Sequence, residues 1–360
     1  MLFNRILFVT GRLSGGGAER VMSILSNEFA LRDKVVCICC MAEKEESLKS
    51  FSITSGVRCV YLGGKSFSKF GLLKRQFGLR KLVKGFKPDI IIPFMVYNAI
   101  QVIMSTVAIR VPIVVRITNT LESEISTRFL KRWARLLLKK ITGVVYQHQE
   151  QKEEFTEHIS KPNTIIHNPI ETNPLWIKEK DYSQKRIISV GRIENQKNYP
   201  LLLKSFAKIV TDYPDWTLEI CGEGLLETEI KNEAARLHLH NKVRFSGYVV
   251  DVFERMHNAS VFILSSSYEG MPNALIEAMC MGCACITTDS SGAVRTLIED
   301  GINGIIVPSE GLESLSNAMC RLLSDDKIRK QIGQEATKLR DKFNVSIVTD
   351  EWEDFINTLI

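Results

Sequence analysis

One feature constrains the fold of this chain more than any other: an alternation of short and long segments that runs its length and restarts once. Short apolar runs of strand length are each followed by a longer stretch with apolar residues at helical spacing. Residues 5–10, 35–41, 57–62, 89–94, 112–117 and 143–146 are the strands of a first series. Residues 171–184 are polar, lack a period and hold Pro174, so they read as a linker. The pattern resumes with strands at 186–190, 217–221, 243–246 and 261–264. Strand and helix in strict alternation build a parallel sheet covered on both faces. At 360 residues there is chain enough for two such domains, each with its own core. The fold class is α/β, doubly wound.

Composition narrows the setting. Nine cysteines are scattered through apolar segments with no regular framework, and the apolar run 6–9 is too short for a signal peptide. A reduced, cytoplasmic environment is expected. Cys280 and Cys283 have a metal-like spacing but no second pair and no nearby His, so a tight helix–strand junction explains them better. Residues 90–109 carry no charge, as a membrane span would. Pro93, Asn98, Gln101, Ser105 and Thr106 interrupt them, and strand 89–94, turn 95–98, helix 99–109 and strand 112–117 are expected instead.

The net charge of +6 is unevenly placed. Residues 65–87 hold eight basic side chains and no acidic one, and residues 128–140 hold six and none. Lys74, Arg75, Arg80, Lys81 and Lys84 alternate with Leu and Phe, an amphipathic pattern suited to the core, to anionic lipid, or to both. No pattern for reading bases accompanies them, so nucleic acid is not an expected partner.

Three stretches carry chemistry. Residues 11–17 form a turn with four glycines between a strand and a helix, a geometry for approaching phosphate. A dinucleotide fingerprint is absent. At the first strand tip of the second series stand Arg192 and Lys197, two cations suited to a diphosphate whose leaving charge needs stabilising. The third stretch, 265–289, places Glu269 in a turn, Pro272 at the first position of a helix expected over 273–281, and Glu277 inside it. Helix amides and two carboxylates there suit phosphate oxygens and vicinal hydroxyls, as of a ribose or hexose.

These residues resemble glycosyltransferase family 4, the retaining nucleotide-sugar enzymes of GT-B fold. Gly191-Arg192-x4-Lys197-Asn198 resembles the family's diphosphate loop, and Glu269-Gly-x-Pro-Asn-Ala-Leu-Ile-Glu277 its E-x7-E motif. Gly16-Gly17-Ala18-Glu19-Arg20 resembles the glycine-rich loop of the acceptor domain, and His167-Asn168-Pro169 the crossing between domains. Gly222-Glu-Gly224, Gly247-Tyr248-Val249 and Asp300-Gly301-x2-Gly304 fall at the matching intervals. The resemblance implies two Rossmann-like doubly wound domains facing a central cleft. An acceptor-binding domain over 1–170, the linker 171–184, a nucleotide-sugar domain over 185–344 and a helix over 345–360 crossing back to the first domain follow from it.

The resemblance also implies roles. Arg192 and Lys197 would hold the donor pyrophosphate, and Glu269 the transferred sugar with the backbone around Gly270, Met271, Pro272 and Asn273. Glu277 would take the ribose hydroxyls and Tyr248 with Val249 the base, while Gly16 and Gly17 let backbone approach the phosphates. The family needs no metal, and no cofactor beyond the UDP-sugar substrate is expected. Two departures stand out. Thr118 or Asn119 stands where many members carry a His, and Gly292-Ala-Val-Arg295 replaces a common Gly-Pro-x-Glu. The overall look is that of bacterial O-antigen, capsule or lipid-linked oligosaccharide enzymes, peripheral on the inner face of the cytoplasmic membrane. Expected partners are a nucleotide-sugar, a polyprenyl-diphosphate-linked saccharide and anionic lipid. A UDP-sugar epimerase or hydrolase, or a sugar-nucleotide sensor, would use the same donor residues without a sugar acceptor.

Overall fold

The computed structural model describes residues 3–13, 16–43, 52–63, 69–118, 137–156 and 159–360. It divides into two compact units, one of residues 1–171 with 343–360 and one of residues 172–342.

In the first unit every residue of Ile6, Leu7, Phe8 and Val9 is fully buried, because β1 (Arg5–Thr10) is central in a sheet with apolar layers on both sides. Its neighbours are β2 (Val35–Cys40) and β4 (Ile90–Pro93), with β3 (Val57–Tyr61) beyond β2, all parallel. β5 (Val114–Arg116), β6 (Gly143–Tyr146) and β7 (Asn163–Ile165) continue from β4 through bridges at Ile91–Ile113 and Phe94–Arg116. Alternate residues serve opposite faces, as the pleat requires. Leu7, Val9, Cys37, Ile91 and Val115 pack with α2 (Lys69–Phe86) and α3 (Val96–Ser105). Ile6, Phe8, Ile38, Ile92 and Val114 pack with α1 (Gly17–Leu31) and the C-terminal helix (Val345–Asn357).

The second unit is a six-stranded parallel sheet in the order β10-β9-β8-β11-β12-β13. Its strands are β8 (Arg186–Val190), β9 (Thr217–Cys221), β10 (Val243–Gly247), β11 (Val261–Leu264), β12 (Ala284–Thr288) and β13 (Ile305–Val307). Successive strands step outward from β8 to β10, and the chain then returns to lay β11 on the other side of β8. The reversal between β8 and β11 is a topological switch point, the place in an open parallel sheet where ligands commonly bind. Residues 172–184 belong to this unit: a 3-10 turn at Pro174–Ile177 leads to Lys180 and Arg329 contacts that pin the segment to the fold.

Three local expectations are corrected. The helix expected over 99–109 is Val96–Ser105, entered directly from Met95 at φ 73° without a four-residue turn. Pro272 is the N-cap of a helix over Asn273–Cys280 rather than its first residue, since its carbonyl accepts from Leu275 and Ile276. The apolar residues of α2 do not form one stripe. At about 100° per residue, Leu79, Val83 and Phe86 fall together and are buried, whereas Leu73 and Phe77 fall on the other side and are 55% and 70% exposed. Among the described residues no helix is long and apolar enough to cross a membrane.

Candidate functional site

The switch point of the second unit gathers the residues with the most pointed chemistry. After β8 the chain makes a 3-10 turn, Asn195–Lys197, and enters the next helix, Tyr199–Ile209, through Asn198 in the left-handed region. After β11 it runs through Ser265, Ser266 and Glu269 to the helix Asn273–Cys280. Because β8 and β11 are neighbours, the two loops lie side by side and are stitched together. The Ser267 amide donates to Gln196 O at 2.8 Å, Gln196 Nε2 to Tyr268 O at 3.0 Å, and Ser265 Oγ to Lys197 O at 2.8 Å.

Across that seam Lys197 Nζ meets Glu269 Oε1 at 2.6 Å, with the two side chains 15% and 7% exposed. Ser266 Oγ donates to the same oxygen at 2.6 Å, while among the described residues Oε2 has only the Gln196 amide at 3.4 Å. A charge-assisted pair this short, with a hydroxyl added, fixes the orientation of the carboxylate. Of Arg192, Lys197 and Glu269, expected from the sequence to hold the donor pyrophosphate and its sugar in catalysis, Lys197 and Glu269 are thus brought into contact. Arg192 is not part of that contact: it is mostly exposed and pairs with Glu194 at 3.1 Å.

Glycine explains how the loops come so close. Lys197 runs its aliphatic stem across Gly191, where a Cβ would sit 2.9 Å from Lys197 Cε. The β9 tip presses from the other side: a Cβ on Gly222 would fall 1.9 Å from Gly191 O, and one on Gly224 2.2 Å from Ile193 O. Tyr199 donates its hydroxyl to Gly191 O at 3.0 Å, and burial pushes that phenol's pKa well up. Tyr248 follows the left-handed Gly247 at the β10 tip, and its amide donates to Glu223 Oε1 at 3.2 Å. Its ring is exposed and Val249 is half-buried. Gly270 and Asn273 are half-buried, Met271 and Pro272 buried, and Glu277 is buried on the helix wall.

In the first unit Gly16 caps α1 and Gly17 begins it, with the Glu19 carboxylate lying where a Gly16 Cβ would be. Thr118 is buried, and Asn119 lies outside the described residues. Arg116 was given no role by its sequence position, yet it is fully buried. It donates to Ile166 O at 2.8 Å and Asn168 Oδ1 at 2.6 Å, and burial pushes its pKa down to about 9. It fastens the segment 166–168 to β5. On α2, Lys74, Lys81 and Lys84 are exposed on the side of Leu73 and Phe77. Arg80 instead closes the C-terminal end of α3, donating to Ser105 O at 3.0 Å and Val107 O at 2.7 Å, and Arg75 is half-buried with Nε on Gly71 O.

Sequence reasoning missed Ser265, Ser266 and Gln196. Small polar residues beside Glu269 were visible, but their partner depended on β8 lying next to β11, which no local pattern reports.

The comparisons with known proteins agree with this architecture. Residues 15–174 match the model for Glycosyltransferase Family 4, and residues 173–339 the model for Glycosyl transferases group 1. The fold is GT-B: the solved Anabaena HepE, in complex with UDP and glucose, superposes with a TM-score of 0.82 at 18% identity over 99% of this chain and 100% of that one. The chain belongs to the family 4 glycosyltransferases. Among curated relatives is a Campylobacter jejuni GalNAc-alpha-(1->4)-GalNAc-alpha-(1->3)-diNAcBac-PP-undecaprenol alpha-1,4-N-acetyl-D-galactosaminyltransferase, 25% identical over 97% of each chain. Another is an Escherichia coli UDP-Gal:alpha-D-GlcNAc-diphosphoundecaprenol alpha-1,3-galactosyltransferase, 26% identical over 78% of each chain.

Proposed function

We propose that this glycosyltransferase moves a hexose or N-acetylhexosamine from a UDP-sugar to an undecaprenyl-diphosphate-linked saccharide, retaining the anomeric configuration and using no metal. The observation that carries the reading is the Lys197–Glu269–Ser266 contact at the switch point of the second unit. A cation beside an oriented carboxylate at a switch point suits a diphosphate and the sugar it bears, which supports the reading. Lys197 and Arg192 would meet the charge that develops on the departing nucleoside diphosphate. Glu269 would accept from a sugar hydroxyl, and Glu277 from the ribose. With Thr118 and Asn119 in the sequence where many family members carry a His, the leaving phosphate oxygen would itself take the acceptor's proton on the face it departs from, which gives retention. The lipid-linked acceptor is supported by what the Campylobacter and Escherichia relatives are named for.

The α2 surface supports work at the inner face of the cytoplasmic membrane, as in assembly of a surface polysaccharide. Leu73 and Phe77 are exposed beside Lys74, Lys81 and Lys84, a pairing of apolar and cationic groups that suits an anionic lipid interface.

The test is turnover with a panel of UDP-sugars, with and without a polyprenyl-diphosphate saccharide, in EDTA. UDP release that needs the acceptor, with an axial product from an axial donor, is the expected result. Release without acceptor would replace the reading by hydrolysis or epimerisation. Lys197→Ala should lose most turnover with the fold intact, and near-native rates would sink its assignment to the diphosphate.

A further inference from the structure

Lys197 and Glu269 are assigned above to two different parts of the donor, yet in the structure each holds the other. Among the described residues Lys197 Nζ has no acceptor besides Glu269 Oε1. A diphosphate that takes the full charge of Lys197 must therefore draw it from a carboxylate that is only 7% exposed. Left behind, Glu269 would keep the Ser266 hydroxyl and the distant Gln196 amide, too little to compensate a desolvated anion. Breaking such a pair without replacing the lost partner is costly. A sugar hydroxyl can replace it, because it donates a hydrogen bond to the freed oxygen. A nucleoside diphosphate with no sugar brings no such donor, and its own negative charge is repelled by the carboxylate.

We propose that Glu269 competes with the diphosphate for Lys197, so that the site discriminates the intact sugar donor from the spent nucleotide. An arriving donor satisfies both members of the pair at once. When the sugar departs, Glu269 loses its hydroxyl partner, reclaims Lys197 and weakens the hold on the product. The inference rests on the donor-site reading above and adds to it a reason for product release.

The experiment is calorimetric binding of UDP, and of inorganic pyrophosphate as a probe without base or ribose, to the full chain. Glu269→Gln keeps the shape and removes the charge. It should bind UDP about tenfold tighter than the wild type, which corresponds to about 1.4 kcal/mol, while losing turnover with intact donor. Equal or weaker UDP binding by a folded Glu269→Gln protein overturns the proposal. Glu269→Ala supplies a second variant should the first not fold, and the same gain is expected of it. Lys197→Ala serves two purposes. By itself it should weaken UDP binding, and no effect would remove the donor-site reading rather than the competition. In its background the gain from Glu269→Gln should shrink, since no cation remains to be contested. An undiminished gain would mean plain repulsion and overturn the competition.

Discussion

Lys180 and His257 share the C-terminal end of the short helix Val252–His257, and burial loosens the hold of each on its proton. Lys180 Nζ donates to Met256 O and His257 O, both at 2.8 Å, and so closes the helix end with a cation. Its pKa is lowered foremost by burial, with Arg340 adding to the effect. His257 is lowered from 6.5 by burial first and then by Lys180, Lys178 and Arg340. No described carboxylate offsets them in either case. The direction fixes the sign of the pH dependence. Between the depressed folded pKa and 6.5 the unfolded chain binds a proton that the folded chain refuses, so stability falls as pH falls through that window. Chemical denaturation followed from pH 7 downward should show the loss, and His257→Asn should flatten it. A slope unchanged in the variant would assign the acid sensitivity to other groups.

At the scale of elements, α2 shows what a sequence pattern reports and what it leaves out. Helical spacing foretold a helix, and Lys69–Phe86 is one. Spacing did not say that its apolar residues divide between two faces, because Leu73 and Phe77 are in phase with each other but out of phase with Leu79, Val83 and Phe86. Several strands, among them Arg5–Thr10, Gly143–Tyr146, Arg186–Val190, Thr217–Cys221 and Val261–Leu264, were legible to the residue, whereas the strand expected over 112–117 is only Val114–Arg116. Runs such as Ile6-Leu-Phe-Val9 are buried on both faces and need no partner to be recognised. The glycines and charges at the strand tips were legible for the same local reason, as local features of the sequence. Their pairing was not, because the order β10-β9-β8-β11-β12-β13 is a property of the sheet. The exposed face of α2 yields its own prediction. Each lysine near an anionic surface contributes on the order of 1 kcal/mol, and Leu73 and Phe77 add apolar area that the core does not use. Replacing Lys74, Lys81 and Lys84 by Gln should release the protein from vesicles containing anionic lipid, and Leu73→Ser with Phe77→Ser should weaken what binding remains. Sedimentation with vesicles reads both, and undiminished binding by the fivefold variant would end the lipid assignment for α2. Changing Arg80 is a poor test, because it would first open the end of α3.

The molecule as a whole is built from a continuous unit and a discontinuous one. Residues 343–360 return to the first unit, and the C-terminal helix Val345–Asn357 fills one face of that unit's sheet. Val348, Trp352 and Ile356 are fully buried in a core with Met22, Leu25 and Phe29, and the Arg116 guanidinium lies 5.7 Å from the Trp352 ring. Arg32 on α1 donates to Ser346 O at 2.7 Å and pairs with Asp350 on the returning helix. The last residues of the chain therefore complete the first unit, while the second has its own core around Ile187, Leu202, Phe206, Ile263 and Leu315. Trp352→Ala should thus destabilise one unit selectively, by about 3–5 kcal/mol for loss of a buried aromatic. Hydrogen exchange is the measurement, because it assigns stability element by element. Amides of β1, β2 and β4 should lose protection, while those of β8, β11 and β12 keep theirs. UDP binding, proposed to rest on the second unit, should survive in the variant even as turnover falls with the first. Equal loss of protection in both units would show that they unfold as one, and the returning helix would then support the stability of the entire chain rather than that of a single sheet.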